Sequence, residues 1–532
     1  MRAAIDRAID IVLTHGDSFE LPPSFEIAVI RGRRADVAEL VAALYLGYPD
    51  GPGGESLVGD VVLTPVGHTG FRPITQLDPI WNLYLLALVI AAGPDIERSR
   101  VPVGQGVVHS FRFVPRVGAA HLFDPDFGWH SFCDAGRERA TGYAYVLMTD
   151  ICSFSQSISC RRLERALREA CVDPGIVDRI MHVVRRLTGD VSSGLPVGAP
   201  AFSLLAELVL DATDRLLLAN DIAFIRYIDD FRIFAQSRDE AQRLLELVGA
   251  RLTTHTGFSL QKAKTRILSS GEFLSRLPVP AQSTEVVGGG GEKEFLRLRI
   301  HVDRYAGKAD TAITDAIRRS VQSFDVAGLL AAELRKPQIS ESLAKRAVRS
   351  MAHLDARRRA ELMALFGSHL ERFAPVFRGV LQSFLEHADA LDDDTRSGFS
   401  DAVKALHFSR SHVMQVPANQ SWAIRVIARD FDERSERILA DMYRSTDSAS
   451  IRRDIIIAMS NGGRIRFISD ARQRFAVLNA WDRRAVLVAS HMREDPEPCW
   501  LHESALTGFE QVVRAWAVDE RSRSGGSARI PL

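Results

Sequence analysis

The chain has 532 residues, 46% of them apolar and 25% charged, with 67 Lys+Arg balanced by 67 Asp+Glu. At about 150 residues per domain this is material for three or four folded domains, and the composition argues against a mostly disordered chain. Zero formal charge excludes a globally basic nucleic-acid coat, so any contact with DNA or RNA must come from local patches.

The longest apolar run, Leu83–Ala92, is about half of the ~20 residues a membrane span needs, so no membrane contact is expected. Asp6 and Asp10 interrupt the N-terminus where a secretory signal needs an uncharged core. The cysteines (Cys133, Cys152, Cys160, Cys171, Cys499) form no Cys-x-x-Cys pair. An odd, scattered set predicts reduced thiols in a cytoplasmic protein without structural zinc.

Residues 1–60 read as an N-terminal helical segment, broken at Leu21-Pro22-Pro23 and closed by the loop PDGPGG. VVLTPVG (61–67) and FRPIT (71–75) read as strands, and WNLYLLALVIAAG (81–93) as an apolar helix. VVHSFRFVP (107–115) alternates enough to be a strand, and YAYVLMT (143–149) reads as a buried strand ending on Asp150. RRLERALREACV (161–172) is an amphipathic helix pattern, and 192–220 a Gly/Pro-containing loop running into a long helix. AFIRY (223–227) and FRIFA (231–235) flank Ile228-Asp229-Asp230 as a hairpin would. The glycine tract in VVGGGGEKE predicts a connector over 286–308, then helical patterns over 309–520 and a loose tail over 521–532. No strict repeat period is present, so stacked helical hairpins of solenoid type are an expectation from element order alone.

Asp150 at a strand end and Asp229-Asp230 at a hairpin tip are far apart in sequence, but adjacent strands of one sheet would join them. Carboxylates on an apolar sheet are costly unless something positive neutralises them. Magnesium does so through hard oxygen ligands, keeps positions for substrate phosphates, and as an ion pair clamps an in-line phosphoryl displacement. An Asp-Asp pair alone is ordinary turn chemistry; the ordered set of segments around it is not.

That set resembles the reverse transcriptase palm. TDICSFSQSIS (149–159) is similar to its first catalytic motif, GLPVGAPAFSLLAEL (194–208) to the second, RYIDDF (226–231) to the Tyr-x-Asp-Asp third, and GFSLQKAKTRIL (257–268) to the fourth. Order and spacing agree across about residues 70–275. RPITQLDP (72–79), HSFRF (109–113), LFDPDFGWHSF (122–132) and the helical C-terminal half resemble bacterial defence-associated reverse transcriptases, including the abortive-infection polymerases.

The resemblance implies an α/β fingers–palm core with a mixed sheet over 61–285, followed by an all-α, HEAT-like repeat region. It implies DNA synthesis from dNTPs in antiphage defence with two Mg²⁺ ions, Mn²⁺ being the alternative. Some members use no template and some prime from a protein hydroxyl. A noncoding RNA template and self-association stay open, as do a non-catalytic palm scaffold and an RNA-synthesising polymerase. By the same resemblance Asp150, Asp229 and Asp230 are catalytic metal ligands, the Ile151 carbonyl is a further ligand, and Tyr227 lies beside the primer end.

Gly194 and Gly198 would let backbone approach the base pair closely. Arg72, and more weakly Arg112, are candidates for the incoming triphosphate through bidentate guanidinium bonds, although either serves equally in an ion pair. Lys264 would protonate the leaving pyrophosphate. Ser155 stands where an aromatic residue usually blocks the ribose 2′-hydroxyl, which predicts weak discrimination against ribonucleotides unless Phe154 fills the space. Val197 stands where a polar Gln is common, which puts template-guided fidelity in doubt.

Tyr45, Tyr48 and Tyr305 are candidate priming hydroxyls, each of which a core would equally absorb. Lys345, Arg346, Arg349 and Arg357, Arg358 and Arg359 form a basic run that suits a phosphate-tracking surface or a solvated helix face. Asp392-Asp393-Asp394 reads as helix capping. Gly288–Gly291 lacks the Lys-Ser/Thr of a phosphate loop.

Overall fold

The structure is a computed structural model, and it describes residues 1–18, 20–48, 57, 59–115, 120–171, 173–189, 193–278, 291–300, 311–493, 506–524 and 529–532. The chain divides into two compact units. One comprises Met1–Thr14, Leu83–Val279 and His301–Asp310; the other comprises His15–Asn82, Pro280–Ile300 and Thr311–Leu532. This differs from the expected linear order of domains, because residues 15–82 fold with the C-terminal helices.

Six strands occur among the described residues: β1 Gly59–Val66, β2 Gly70–Leu77, β3 Tyr145–Asp150, β4 Phe224–Tyr227, β5 Asp230–Ala235 and β6 Arg266–Ser269. The first unit is built on an antiparallel sheet in the order β4-β5-β3-β6. β3 and β5 carry apolar side chains on both faces and are buried on nearly every residue, as strands covered on both sides must be. Val146, Ile225, Phe234 and Leu268 pack with Phe132 and Cys133 of helix Trp129–Ala140, with Phe273 of helix Ser270–Arg276 and with Leu277 just after it.

The long helix Pro200–Ala219 starts on a proline, whose fixed φ is pre-set for the first helical position. Helix Arg238–Arg251 starts from Ser237, whose hydroxyl accepts the Glu240 amide at 3.1 Å. Helix Pro79–Ser99 is long and apolar enough to cross a membrane by composition, but 83% of its apolar window is buried inside the protein, as in a core helix.

Segment 107–115 forms no regular strand. It makes two isolated bridges, parallel at Val108↔Arg226 and antiparallel at Phe113↔Phe123. HSFRF therefore lies between β4 and LFDPDFGWHSF, with the Asp124 amide donating to the Arg112 carbonyl at 2.8 Å. Chain direction explains the difference: a parallel bridge followed by a return does not extend into a ladder.

In the second unit β1 and β2 form a hairpin with Val62 and Ile74 packed on Leu21 and Ala418. Its helices between Thr311 and Ser524 are short, amphipathic and repeatedly capped. Asp325, Ser340, Asp355, Asp392, Asp432 and Ser448 each accept a first-turn amide, so Asp392 has the capping role its sequence suggested. Buried Glu26, Asp78, Arg453, Asp454 and Arg484 form an ion-pair group, with Arg484 2.8 Å from Asp78 and 3.1 Å from Glu26.

Two connector expectations change. EKEFLR forms helix Glu292–Arg297, and Phe295 is buried against Phe324 at 5.5 Å between ring centroids. The tail begins inside helix Gly508–Ser524, and Ile530 is buried and exchanges two hydrogen bonds with Asn461 at 2.8 and 2.9 Å. In both cases an apolar side chain beside the polar tract is what packs.

Candidate active site

The sheet register places Asp150, the last residue of β3, directly opposite Asp230, the first of β5. Asp229 occupies the β4–β5 turn, and its carbonyl accepts the Ile151 amide at 3.1 Å. The backbone thus brings together the three acids that the sequence separates.

Segment 259–265 docks along the end of β3. The Cys152 amide donates to the Ser259 carbonyl at 2.8 Å, the Gln261 amide to the Asp150 carbonyl at 2.7 Å, and Thr149 and Thr265 share a hydroxyl bond at 2.8 Å. This docking delivers Lys264, whose Nζ donates to Asp150 Oδ2 at 2.6 Å. Asp230 is held by the buried Arg232 guanidinium at 3.2 Å.

The electrostatics follow. Burial raises the Asp150 pKa against the opposing pull of Lys264. Asp229 is pushed up to about 7, by burial first and then by the neighbouring Asp150 and Asp230 charges. Burial works against the Lys264 ammonium, yet its bond to Asp150 and the charges of all three acids keep its pKa above the ordinary value.

Among the described residues no group of three or more His, Cys, Asp or Glu side chains converges as a metal-holding set. The expected ligand set of Asp150, Ile151, Asp229 and Asp230 is therefore not drawn together as a closed cage. Like charges repel, and Asp150 and Asp230 are instead satisfied by Lys264 and Arg232. The donor chemistry still fits a hard divalent cation, since three carboxylates share one sheet end and the pKa of one, Asp229, is raised by burial and by the other two charges.

The turn itself is strained and braced. Ile228, a β-branched residue, has φ +56°, a conformation that costs on the order of 1–3 kcal/mol outside glycine. Its amide donates to nothing of the hairpin but to Ser110 Oγ at 2.8 Å, and its carbonyl accepts from Arg226 at 2.8 Å. Ser110 in turn donates to Glu207 at 2.6 Å, while Arg226 binds Glu207 at 3.0 Å and Asp214 at 2.5 Å. Burial alone would lower the Arg226 pKa, but Asp214 and Glu207 together raise it, so this guanidinium stays charged.

Sequence reasoning missed this brace and Arg232. The signal was present: Glu207 and Asp214 are two turns apart on one face of an apolar helix, and Arg226 interrupts an apolar strand.

The remaining expected residues separate clearly. The Ser155 carbonyl accepts the Leu195 amide at 2.7 Å and the Ile158 carbonyl accepts the Gly194 amide at 2.8 Å, so the first and second motifs are joined. Gly194 and Gly198 have φ +106° and +137°, and at Gly194 a Cβ would meet only one atom within 4 Å. Both take a backbone conformation that favours glycine, and at Gly194 crowding plays no part.

Phe154 is buried against Phe258 with ring centroids at 5.4 Å, so its ring is committed to the core beneath Ser155. Tyr227 packs edge-on to Trp129 at 5.5 Å.

Arg112 is a correction. It is 2% exposed, pairs with Glu97 at 3.0 Å and donates to the Val101 carbonyl at 2.9 Å, so it is structural and out of reach of a triphosphate. Arg72 belongs to the second unit, where it pairs with Glu20 at 2.7 Å.

The basic run of the same unit is also corrected. Arg346 and Arg359 are tied to the backbone carbonyls of Leu298, Met351 and Leu354, Arg358 donates to the Gln322 carbonyl, and Lys345 and Arg357 pair with Glu341 and Glu361. Exposed Arg349 has company of its own in the fold. The others are tied down within the fold, by backbone carbonyls or by Glu341 and Glu361, and do not line an open phosphate track. Tyr45 and Tyr48 are half-buried in the second unit; Tyr305 lies outside the described residues.

Residues 114–288 match the family model for reverse transcriptase (RNA-dependent DNA polymerase). No curated protein matches the chain. Among solved structures, telomerase from Candida albicans in complex with a TWJ fragment of telomeric RNA aligns at 10% identity and a TM-score of 0.31, over 74% of this chain and 64% of that one. Apo telomerase from Candida tropicalis aligns at 10% identity and a TM-score of 0.30, over 78% and 73%. This chain therefore spans less than two thirds of the first of these proteins. With four motifs meeting at one sheet end and a matching family model, the chain carries a reverse transcriptase-like domain over residues 114–288.

Proposed function

We propose that the protein synthesises DNA from deoxynucleoside triphosphates at the β3/β5 sheet end, as a reverse transcriptase-like polymerase of antiphage defence, with template-independent synthesis and priming from a protein hydroxyl as the alternatives to templated, nucleic-acid-primed synthesis. The observation that carries the catalytic reading is the register Asp150↔Asp230 with Lys264 at 2.6 Å. A non-catalytic palm has no use for a strained turn that three buried charged residues and a serine hold in place.

Asp150, Asp229 and Asp230 would hold divalent cations, Mg²⁺ or Mn²⁺, which when bound neutralise phosphate charge and lower the pKa of an attacking hydroxyl. The chain's own part is distinct. Arg232 orients Asp230, Ser110 and Arg226 fix the turn that aims Asp229, and Lys264 stands as the proton donor toward a leaving pyrophosphate. The defence subfamily is supported by the motif set of its first unit and by the helical composition of its second.

A second reading, synthesis of RNA, has one observation in its favour. Ser155 presents only a hydroxyl, and Phe154, the neighbour able to block a ribose, is buried against Phe258.

The deciding experiment incubates the full chain with Mg²⁺ or Mn²⁺ and each of eight labelled nucleotides, with and without added template and primer. Product from deoxynucleotides that disappears in Asp229→Asn supports the proposal. Labelled protein on denaturing gels supports protein priming, and ribonucleotide product supports the second reading. Absence of product with every nucleotide at both metals would defeat both.

A further inference from the structure

A second concave site lies in the same unit, lined by none of the three aspartates. It is a groove of about 750 Å³ between helices Cys160–Ala170, Pro200–Ala219 and Arg238–Arg251, the last of which continues as a π-turn over Leu252–Thr256. Its volume falls within the range of small-ligand pockets. Leu208, Leu216 and Leu252 contribute to an apolar floor.

The rim is one-sided in charge. Arg161, Arg162, Arg165, Arg215 and Arg251 face two carboxylates, Glu169 and Asp211. Both acids are engaged, Glu169 by Arg165 at 2.8 Å and Asp211 by Arg215 at 2.7 Å. Arg162 donates to the carbonyls of His255 and Thr256, which ties the first helix to the π-turn, and Arg251 donates to the His255 ring at 3.2 Å. Arg161 is exposed at the groove edge. The groove therefore carries uncompensated positive charge above an apolar base.

We propose that this groove is a second nucleotide site, which takes phosphates on the arginine rim and the base on the leucine floor. Guanidinium forks match phosphate oxygens bidentately, and a base has the flat apolar face that the floor requires. A free nucleoside triphosphate and one unit of a nucleic-acid strand present the same chemistry, so the groove reads either. The inference stands apart from catalysis at Asp150, since none of its lining residues is one of the three aspartates.

The test titrates the full chain with mant-dATP in EDTA. Saturable binding is expected, weakened by about tenfold or more in Arg161→Glu/Arg165→Glu, where two charge-assisted contacts are lost, and unchanged in Asp150→Asn. Both arginines are solvent-facing, so the double variant should keep its thermal unfolding curve. Competition by dATP and by a 12-nucleotide DNA strand identifies the source, and the site stands whichever competes better. In the unaltered protein, photolabelling with 8-azido-dATP should mark peptides spanning 208–217 or 251–256. No saturable binding, equal binding by the double variant, labelling confined to other peptides, or competition by tripolyphosphate as strong as by dATP would each overturn the proposal.

Discussion

Lys264 Nζ lies 2.6 Å from Asp150 Oδ2 across 114 residues of sequence, with the lysine 61% and the aspartate 7% exposed. The ion pair joins the ends of two motifs through backbone docking on both sides, so it is a designed juxtaposition and not a chance surface pair. An exposed ammonium anchored on a buried carboxylate is free to swing to a phosphate while its position stays defined.

If Lys264 donates the proton to pyrophosphate, Lys264→Met should lower the rate of nucleotide incorporation about 10²-fold or more, with little change in nucleotide KM. Lys264→Arg should keep the ion pair and stability but not the rate, because a guanidinium is a far weaker acid. Single-turnover kinetics with the three proteins would separate the two effects.

Asp229 gives a pH signature of the metal-free protein. Its pKa is about 7 in the fold against 3.8 as the ordinary value, so the folded state binds the extra proton between those limits. By linkage, stability from this group is full below about pH 4, falls as pH rises toward 7, and levels off above. Thermal melts in EDTA should therefore show Asp229→Asn gaining on the native protein by roughly 2–4 °C between pH 5 and 8. Mg²⁺ should restore the native protein's Tm at pH 8 and leave the variant's unchanged. A constant gap across pH would refute the assignment.

The brace around Ile228 predicts a split between stability and activity. Arg226→Met leaves buried Asp214 without its cation, while Glu207 keeps Arg100, which should cost about 3–5 kcal/mol in urea unfolding. Ser110→Ala removes the acceptor of the Ile228 amide and the donor to Glu207, costing about 1–3 kcal/mol. In Ser110→Ala the fold should survive while incorporation falls, because the turn carrying Asp229 loses its anchor.

Ser155 sets sugar choice if the second reading holds. Ser155→Phe should reduce ribonucleotide incorporation at least tenfold relative to deoxynucleotides, measured as the ratio of kcat/KM values. Unchanged ratios would show that another group contacts the ribose.

Much of the chemistry was legible without coordinates. Asp150 at the end of YAYVLMT and Asp229-Asp230 between AFIRY and FRIFA are visible because strand periodicity and turn residues are local properties, written in neighbouring side chains. The β3, β4 and β5 elements follow that reading closely, and so does the capping by Asp392.

Charge partners were not legible. Arg112 resembles a phosphate ligand in sequence, and only the fold shows it spent on Glu97 and the Val101 carbonyl. The arginines of 346–359 looked like a track until helix ends claimed them. Conversely, Arg226, Glu207 and Asp214 carried no motif, yet together with Ser110 they hold the turn that carries Asp229.

By itself, then, the sequence determined most of the strands and helices around the site and which carboxylates sit at their ends, though not segment 107–115 or helix Glu292–Arg297, because backbone propensity and side-chain periodicity act over a few residues. The tertiary structure alone decided which cation meets which anion, that residues 15–82 pack with the C-terminal helices, and where the arginine-rimmed groove opens. Coulomb energy and desolvation depend on distance in space and on burial, and neither quantity exists until the chain has folded.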